Sequence, residues 1–143
     1  MARYVTSVPT ALAPDAAFAF MADVTRFSSW DPGVATSVQV RGDGPGSKAE
    51  YDLTIAGSRP MVMRYVVEEF DAPRRMKMTS QTRWLRSVDE IRVQPHGAGS
   101  YVTYDAVLTM RGPLGLLDPL LGLAFKRIGD RAAAGLRRVL GET

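Results

Sequence analysis

The side chains in this sequence that could move a proton form a short set. The segment "RSVDEIRV" (Arg86–Val93) places two carboxylates among aliphatic residues. If Ser87, Asp89, Ile91 and Val93 share the inner face of a strand, Asp89 is withdrawn from water. Its carboxyl then holds its proton more tightly and becomes an acid–base group. A register slip of one residue sends Asp89 to solvent, and Val88, of opposite parity, leaves that choice open. Tyr51, Tyr65 and Tyr104 stand among aliphatic neighbours. Each is either a core ring whose hydroxyl meets a backbone group, or a hydrogen-bond donor to a ligand carbonyl or phenol. Asp89 and Tyr65 are the catalytic candidates. Arg64, Arg83 and Arg86 either sit solvated outside or bring a guanidinium to a pocket mouth, to stabilise an enolate or grip a carboxylate.

Other chemistries are excluded by residue type. The single histidine, His96, lies in the tight turn "PHGAGS", and there is no cysteine. A His/Cys metal cluster is therefore ruled out, and a Ser/His/Asp triad would have to use that turn. "GDGPG" looks like a phosphate loop only superficially, because no helix follows it. Neither a metal nor a cofactor is expected.

The elements that must position these groups are legible from periodicity. Residues 2–10 read as a strand. Pro14 and Asp15 suit the first turn of a helix, whose Ala17, Phe18 and Met21 share a face. "TRFSSW" continues as a second short helix or turn, ended by Pro32 and Gly33. The period then changes to two. "VATSVQV", "KAEYDLTIA", "MVMRYVVEEF", "MKMTSQT", "WLRSVDEIRVQP" and "YVTYDAVLTM" read as strands joined by short turns, an antiparallel meander. "KAEYDLTIA" alternates most cleanly, with Ala49, Tyr51, Leu53 and Ile55 on one face. From Pro113 onward, Leu114, Leu117, Leu121, Ala124, Ile128, Ala132, Leu136 and Val139 make the apolar stripe of a long helix. Lys126, Arg127, Arg131, Arg137 and Arg138 populate its solvated side, and Pro119 is expected to kink it or split off a first turn.

Composition agrees with a single α+β domain over 1–143. The chain has 143 residues, 45% hydrophobic and 23% charged, as in ordinary globular proteins. A net charge of +3, with arginines spread along the chain, argues against a dedicated nucleic-acid site. Without cysteine, a reducing cytoplasm is the default compartment. "GPLGLLDPLLGLAF" is too short and too interrupted to insert stably in a bilayer.

One helix cannot fill a curved sheet of about seven strands. A helix is about 10 Å across with its side chains, and twisted sheets of that width curl. An empty hollow of ~300 Å³, the low end for small-molecule sites, would cost roughly 7 kcal/mol against a typical stability of ~5–15 kcal/mol. The space must be small, hold water on polar groups, or carry a ligand. Trp30, a large aromatic at the chain reversal "WDPG", is either filler at a helix end or the wall that closes this space.

The segments "APDAAFAFMADVTRFSSWDPGV", "VVEEFDAPRRMKM" and "VQPHGAGSYVTY", followed by a long amphipathic helix, resemble the START-like (SRPBCC) superfamily. Within it they are most similar to the polyketide cyclase/dehydrase and lipid-transport group. The resemblance implies a helix-grip fold: a curved antiparallel sheet wrapped on a long C-terminal helix, with two short helices between strands 1 and 2. It also implies a hydrophobic cavity between sheet and final helix. The expected walls are Trp30; Tyr51, Leu53 and Ile55; Met61, Met63 and Tyr65; Met78, Ser80, Ser87 and Tyr104; and Leu117, Leu121, Phe125 and Ile128 of the helix. The methionines suit a surface that adapts to varied ligands, or are core. The expected function is binding of a small hydrophobic molecule, such as a polyketide-like aromatic, lipid or isoprenoid. Two alternatives stand beside it: a polyketide cyclase or dehydratase using pocket Tyr, Arg and Asp, and an interaction protein acting through its basic C-terminal helix. Oligomeric state is open.

Overall fold

The computed structural model describes residues 1–113 and 118–141, with the side chains at 118, 119 and 121 outside the description. The chain runs β1 (Ala2–Thr10), α1 (Pro14–Ala22), a 3-10 helix (Val24–Ser29), β2 (Val34–Arg41), β3 (Glu50–Ile55), β4 (Met61–Asp71), β5 (Arg75–Gln81), β6 (Leu85–His96), β7 (Gly99–Met110) and α2 (Asp118–Gly141). All strands join one curved antiparallel sheet in the order β1-β7-β6-β5-β4-β3-β2. Hairpins link consecutive strands from β2 to β7, and β1 closes the far edge against β7. This is the expected helix-grip arrangement, with both short helices between β1 and β2.

Side-chain alternation sets the inner face. Residues paired across antiparallel strands point the same way, so the register Tyr4–Ala106–Asp89–Met78–Val67 defines one inward row. The neighbouring row is Tyr51–Tyr65–Ser80–Ser87–Leu108. The outer face carries charge instead: Arg3 grips Asp105 at 2.7 Å, and Arg75 and Arg92 flank Glu90 at 3.0 and 2.8 Å. Alternating signs across β5, β6, β7 and β1 keep this face in water.

Along the strands the inner face divides into a packed half and a hollow half. In the packed half Val8, Val67, Met76, Ile91, Val93 and Val102 are buried. There α1 contributes Ala17, Phe18, Met21 and Ala22, and the Phe18 ring meets Phe70 edge-on at 5.4 Å. The C-terminal half of α2 is anchored by buried Leu136 and Leu140, and Thr10 Oγ1 donates to the Leu140 carbonyl. Two close approaches fix the helix: a Cβ at Gly135 would lie 1.8 Å from the Trp30 carbonyl oxygen, and one at Gly129 would lie 2.3 Å from the Tyr4 ring. Pro119 falls in the first turn of the described helix, where a missing amide hydrogen costs nothing.

Candidate functional site

The hollow half holds a cavity of about 430 Å³ between the sheet and α2, partly open to solvent. Small residues of both elements line it: Gly129, Ala132 and Ala133 of α2, and Ala106 of β7. Trp30 lines it. It is 3% exposed and packs at 5.0 Å from Phe27 and 5.5 Å from Tyr104, an aromatic wall of three rings. Its Nε1 and Ser80 Oγ are buried without a hydrogen-bond partner among the described residues.

β6 runs Ser87, Asp89, Ile91 and Val93 inward, so the inward parity holds and Asp89 is 8% exposed at the cavity wall. Its carboxylate ends a chain of hydroxyls. Tyr65 Oη donates to Ser87 Oγ at 2.9 Å, Ser87 Oγ donates to Asp89 Oδ1 at 3.0 Å, and Tyr104 Oη donates to Asp89 Oδ2. All four residues line the cavity. Burial raises the Asp89 pKa to about 6; the bonds from Tyr104 and Ser87 oppose the shift, and the charges of Asp31 and Asp105 add to it. Burial, then the Asp89 charge, pushes Tyr65 and Tyr104 above the usual phenol range. Neither phenol ionises near neutrality. The titrating group of this chain is Asp89.

The other expected wall residues separate cleanly. Leu53, Ile55, Met61, Met63, Phe125 and Ile128 line the cavity, with Met61 and Ile128 partly exposed at its mouth. Tyr51, Met78 and Ser80 do not. They occupy inward positions, but Tyr51 belongs to the packed half, and Met78 lies in the core between Val67 and Asp89. Ser80 stands in register between Tyr65 and Ser87, so the Tyr65 ring that reaches Ser87 roofs it over. Leu117 and the Leu121 side chain lie outside the described residues. None of the three candidate arginines reaches the cavity: Arg64 forks onto Asp52 at 2.8 and 3.0 Å, Arg83 lies 4.7 Å over the Trp84 ring, and Arg86 is exposed on the outer parity. His96 stacks on Tyr101 at the surface turn.

Several wall residues escaped the sequence reading. Asp31, beside Trp30, lines the cavity and holds the Gly33 amide at 2.8 Å; burial raises its pKa. The motif "WDPG" carried that signal, and it reads first as a turn. Arg131 edges the mouth although its helix position looks solvated, and it is the one cation among the described lining residues. Phe27, Leu85, Ala106 and Leu108 are apolar positions indistinguishable from core in one dimension. Among the described residues no cluster of three or more His, Cys, Asp or Glu could hold a metal, and no helix is long and apolar enough to cross a membrane.

A curved sheet gripping one long helix around a cavity defines a helix-grip protein. The chain belongs to the polyketide cyclase/dehydrase and lipid transport family, which it matches over residues 1–141. Its structure is similar to that of a START superfamily protein from Mycobacterium smegmatis, at 13% identity and a TM-score of 0.77, covering 98% of this chain and 97% of the other. It is also similar to a protein from Thermus thermophilus, at 16% identity and a TM-score of 0.75, covering 96% and 94%. For the KanY protein the values are 19% identity, a TM-score of 0.70 and 97% of each chain. At such identities the likeness is one of fold. No curated protein matches the chain.

Proposed function

We propose that this protein binds a small hydrophobic molecule, with one polar group, in the cavity between the sheet and α2. The observation that carries this reading is the cavity of about 430 Å³, walled by aliphatic and aromatic side chains and bearing one connected polar cluster, Tyr65–Ser87–Asp89–Tyr104. Apolar walls supply affinity without direction, and a few placed polar groups supply orientation. Burying ~300 Å² of apolar ligand surface would contribute roughly 7 kcal/mol before association costs. Micromolar binding is the expected scale. The experiment is a titration of the Trp84→Phe protein, which leaves Trp30 as its single tryptophan, with the neutral dye N-phenyl-naphthylamine. Saturable uptake with a Trp30 fluorescence change supports the reading, and its absence overturns it.

A second reading is favoured by one feature, the buried Asp89 whose carboxyl titrates near neutrality. In a cyclase, the Asp89 carboxylate would take a proton from a carbon between two carbonyls. The enolate carbon would then bond to a second carbonyl carbon, and the resulting alkoxide would recover the proton from Asp89. Loss of turnover on a poly-β-ketone in Asp89→Asn and in Tyr65→Phe supports this; unchanged turnover in both rejects it.

A further inference from the structure

The hydroxyl protons around Asp89 can be counted, and the count has a direction. An ionised carboxylate only accepts. Ser87 and Tyr104 each spend their one proton on Asp89, and Tyr65 spends its proton on Ser87. With all three protons committed along the chain, what this cluster offers the cavity is lone pairs, on Tyr65 Oη, Tyr104 Oη and Asp89 itself. The lining also carries the Thr6 hydroxyl on β1 and the Trp30 indole, whose N–H is itself buried. Asp31 adds a second carboxylate to the same wall. Tyr4, also on the wall, sends its proton away to Asp130 at 2.7 Å. The one cation among the described lining residues, Arg131, is exposed at the mouth.

We propose that, while Asp89 is ionised, the cavity selects apolar molecules whose polar end donates a hydrogen bond, an alcohol, phenol or amine, over carbonyls and carboxylates, and that protonation of Asp89 reverses this preference. The inference rests on the ligand-binding reading and gives it a chemical class. A carbonyl pressed against these lone pairs leaves a buried acceptor unpaired, at a cost of about 1–3 kcal/mol. A carboxylate would place a third negative charge beside Asp89 and Asp31. A hydroxyl or amine finds acceptors already aimed at it.

The reversal follows from the same count. A protonated Asp89 donates to Ser87 Oγ, Ser87 then donates to Tyr65 Oη, and the Tyr65 hydroxyl turns its proton into the cavity. One proton added at the carboxyl makes the far end of the chain a donor. The groups around Asp89 come from several elements: Ser87 on β6 and Tyr104 on β7 bond to it, Tyr65 on β4 reaches it through Ser87 and feels its charge, Asp31 in the turn before β2 acts by its own charge, and Tyr4 of β1 and Arg131 of α2 line the same cavity. Asp105, on the outer face of β7, acts through the sheet and is itself held by Arg3 and Arg92. Burial and the two neighbouring aspartates place the change at about pH 6.

The test uses naphthol, naphthylamine, naphthaldehyde, naphthoate and naphthalene, substituted at one ring position, so that only the polar end varies. Dissociation constants are read from Trp30 fluorescence in the Trp84→Phe protein at about pH 8 and about pH 5. The expected result near pH 8 is naphthol and naphthylamine binding roughly tenfold tighter than naphthaldehyde, with naphthoate weakest. Near pH 5 the naphthol-to-naphthaldehyde ratio falls to unity or inverts. Asp89→Asn, whose amide donates to Ser87 at any pH, should show the acidic ratio throughout, and Tyr65→Phe should keep the reversal, now delivered by the Ser87 hydroxyl that ends the shortened chain. Equal affinity for naphthol and naphthaldehyde near pH 8, or a ratio that ignores pH, overturns this inference and leaves the ligand-binding reading standing. No saturable binding of any probe, naphthalene included, overturns that reading and the inference with it. The pH series on otherwise unaltered cavity residues carries the test if either cavity variant folds poorly.

Discussion

Replacing Asp89 by Asn should stabilise the fold at neutral pH, although it removes a side chain with two hydrogen bonds. In the unfolded chain an aspartate titrates near 3.9, whereas folded Asp89 is raised to about 6. The folded state therefore binds the proton more tightly. Its contribution to stability is fully present below about pH 4 and is lost as the pH rises through about 6. Two pH units at 1.36 kcal/mol each give about 3 kcal/mol, and no discount for solvent applies to a carboxyl this deeply buried. An asparagine never meets that penalty. Its Oδ1 accepts from Tyr104 and its amide donates to Ser87, so no partner is orphaned. Glu90, Asp52 and Asp130, whose pKa values are lowered by hydrogen-bonded Arg75, Arg64 and Tyr4, pull stability the other way at acid pH. They are common to both proteins and cancel in the difference. Urea denaturation across pH should thus give two curves that meet near pH 4 and diverge to about 3 kcal/mol near pH 8, with the variant above. That corresponds to a Tm difference of roughly 10 °C. Parallel curves, or a variant less stable at pH 8, would refute the view that Asp89 is held in a desolvated site.

Three further outcomes follow from packing. Gly135→Ala should destabilise by at least about 2 kcal/mol, since its Cβ would strike the Trp30 backbone, which cannot swing aside; Gly122→Ala, with nothing within 4 Å, should gain about 1 kcal/mol of helix propensity. Thermal unfolding of the pair separates the two effects. Trp30→Ala should cost about 3–5 kcal/mol by thermal or urea unfolding, because it opens the aromatic wall shared with Phe27 and Tyr104. Ala106→Phe should fill the hollow and abolish dye binding while changing stability by no more than about 1 kcal/mol, measured by fluorescence titration and urea denaturation.

Much of the architecture could be read from one dimension, because sheet and helix periods are local properties. The alternation Ala49, Tyr51, Leu53, Ile55 puts β3 inward on the correct parity, and the residues buried on α1 are those spaced for one helical face. The polar members of the site were legible by type: Asp89, Ser87, Tyr65 and Tyr104 were singled out separately. That they form one chain was not legible, since β4, β6 and β7 meet only in the sheet. Asp31 was hidden inside a turn motif, and Arg131 inside a helix face that looks solvated.

Periodicity thus determined which side of β3 turns inward, how many strands there are, and that a long amphipathic helix covers them. Parity says nothing about which neighbours cover an inward-facing side chain, and that cover decided the rest. Tyr51, Met78 and Ser80 share the inner face with Leu53, Tyr65 and Ser87, yet only the latter three meet the hollow. Tertiary structure brought Gly129, Ala132 and Ala133 of α2 and Ala106 of β7 to the lining of one cavity. It also settled the parity of Asp89, because a carboxylate among alternating apolar residues is assigned a face only when neighbouring strands pair with it.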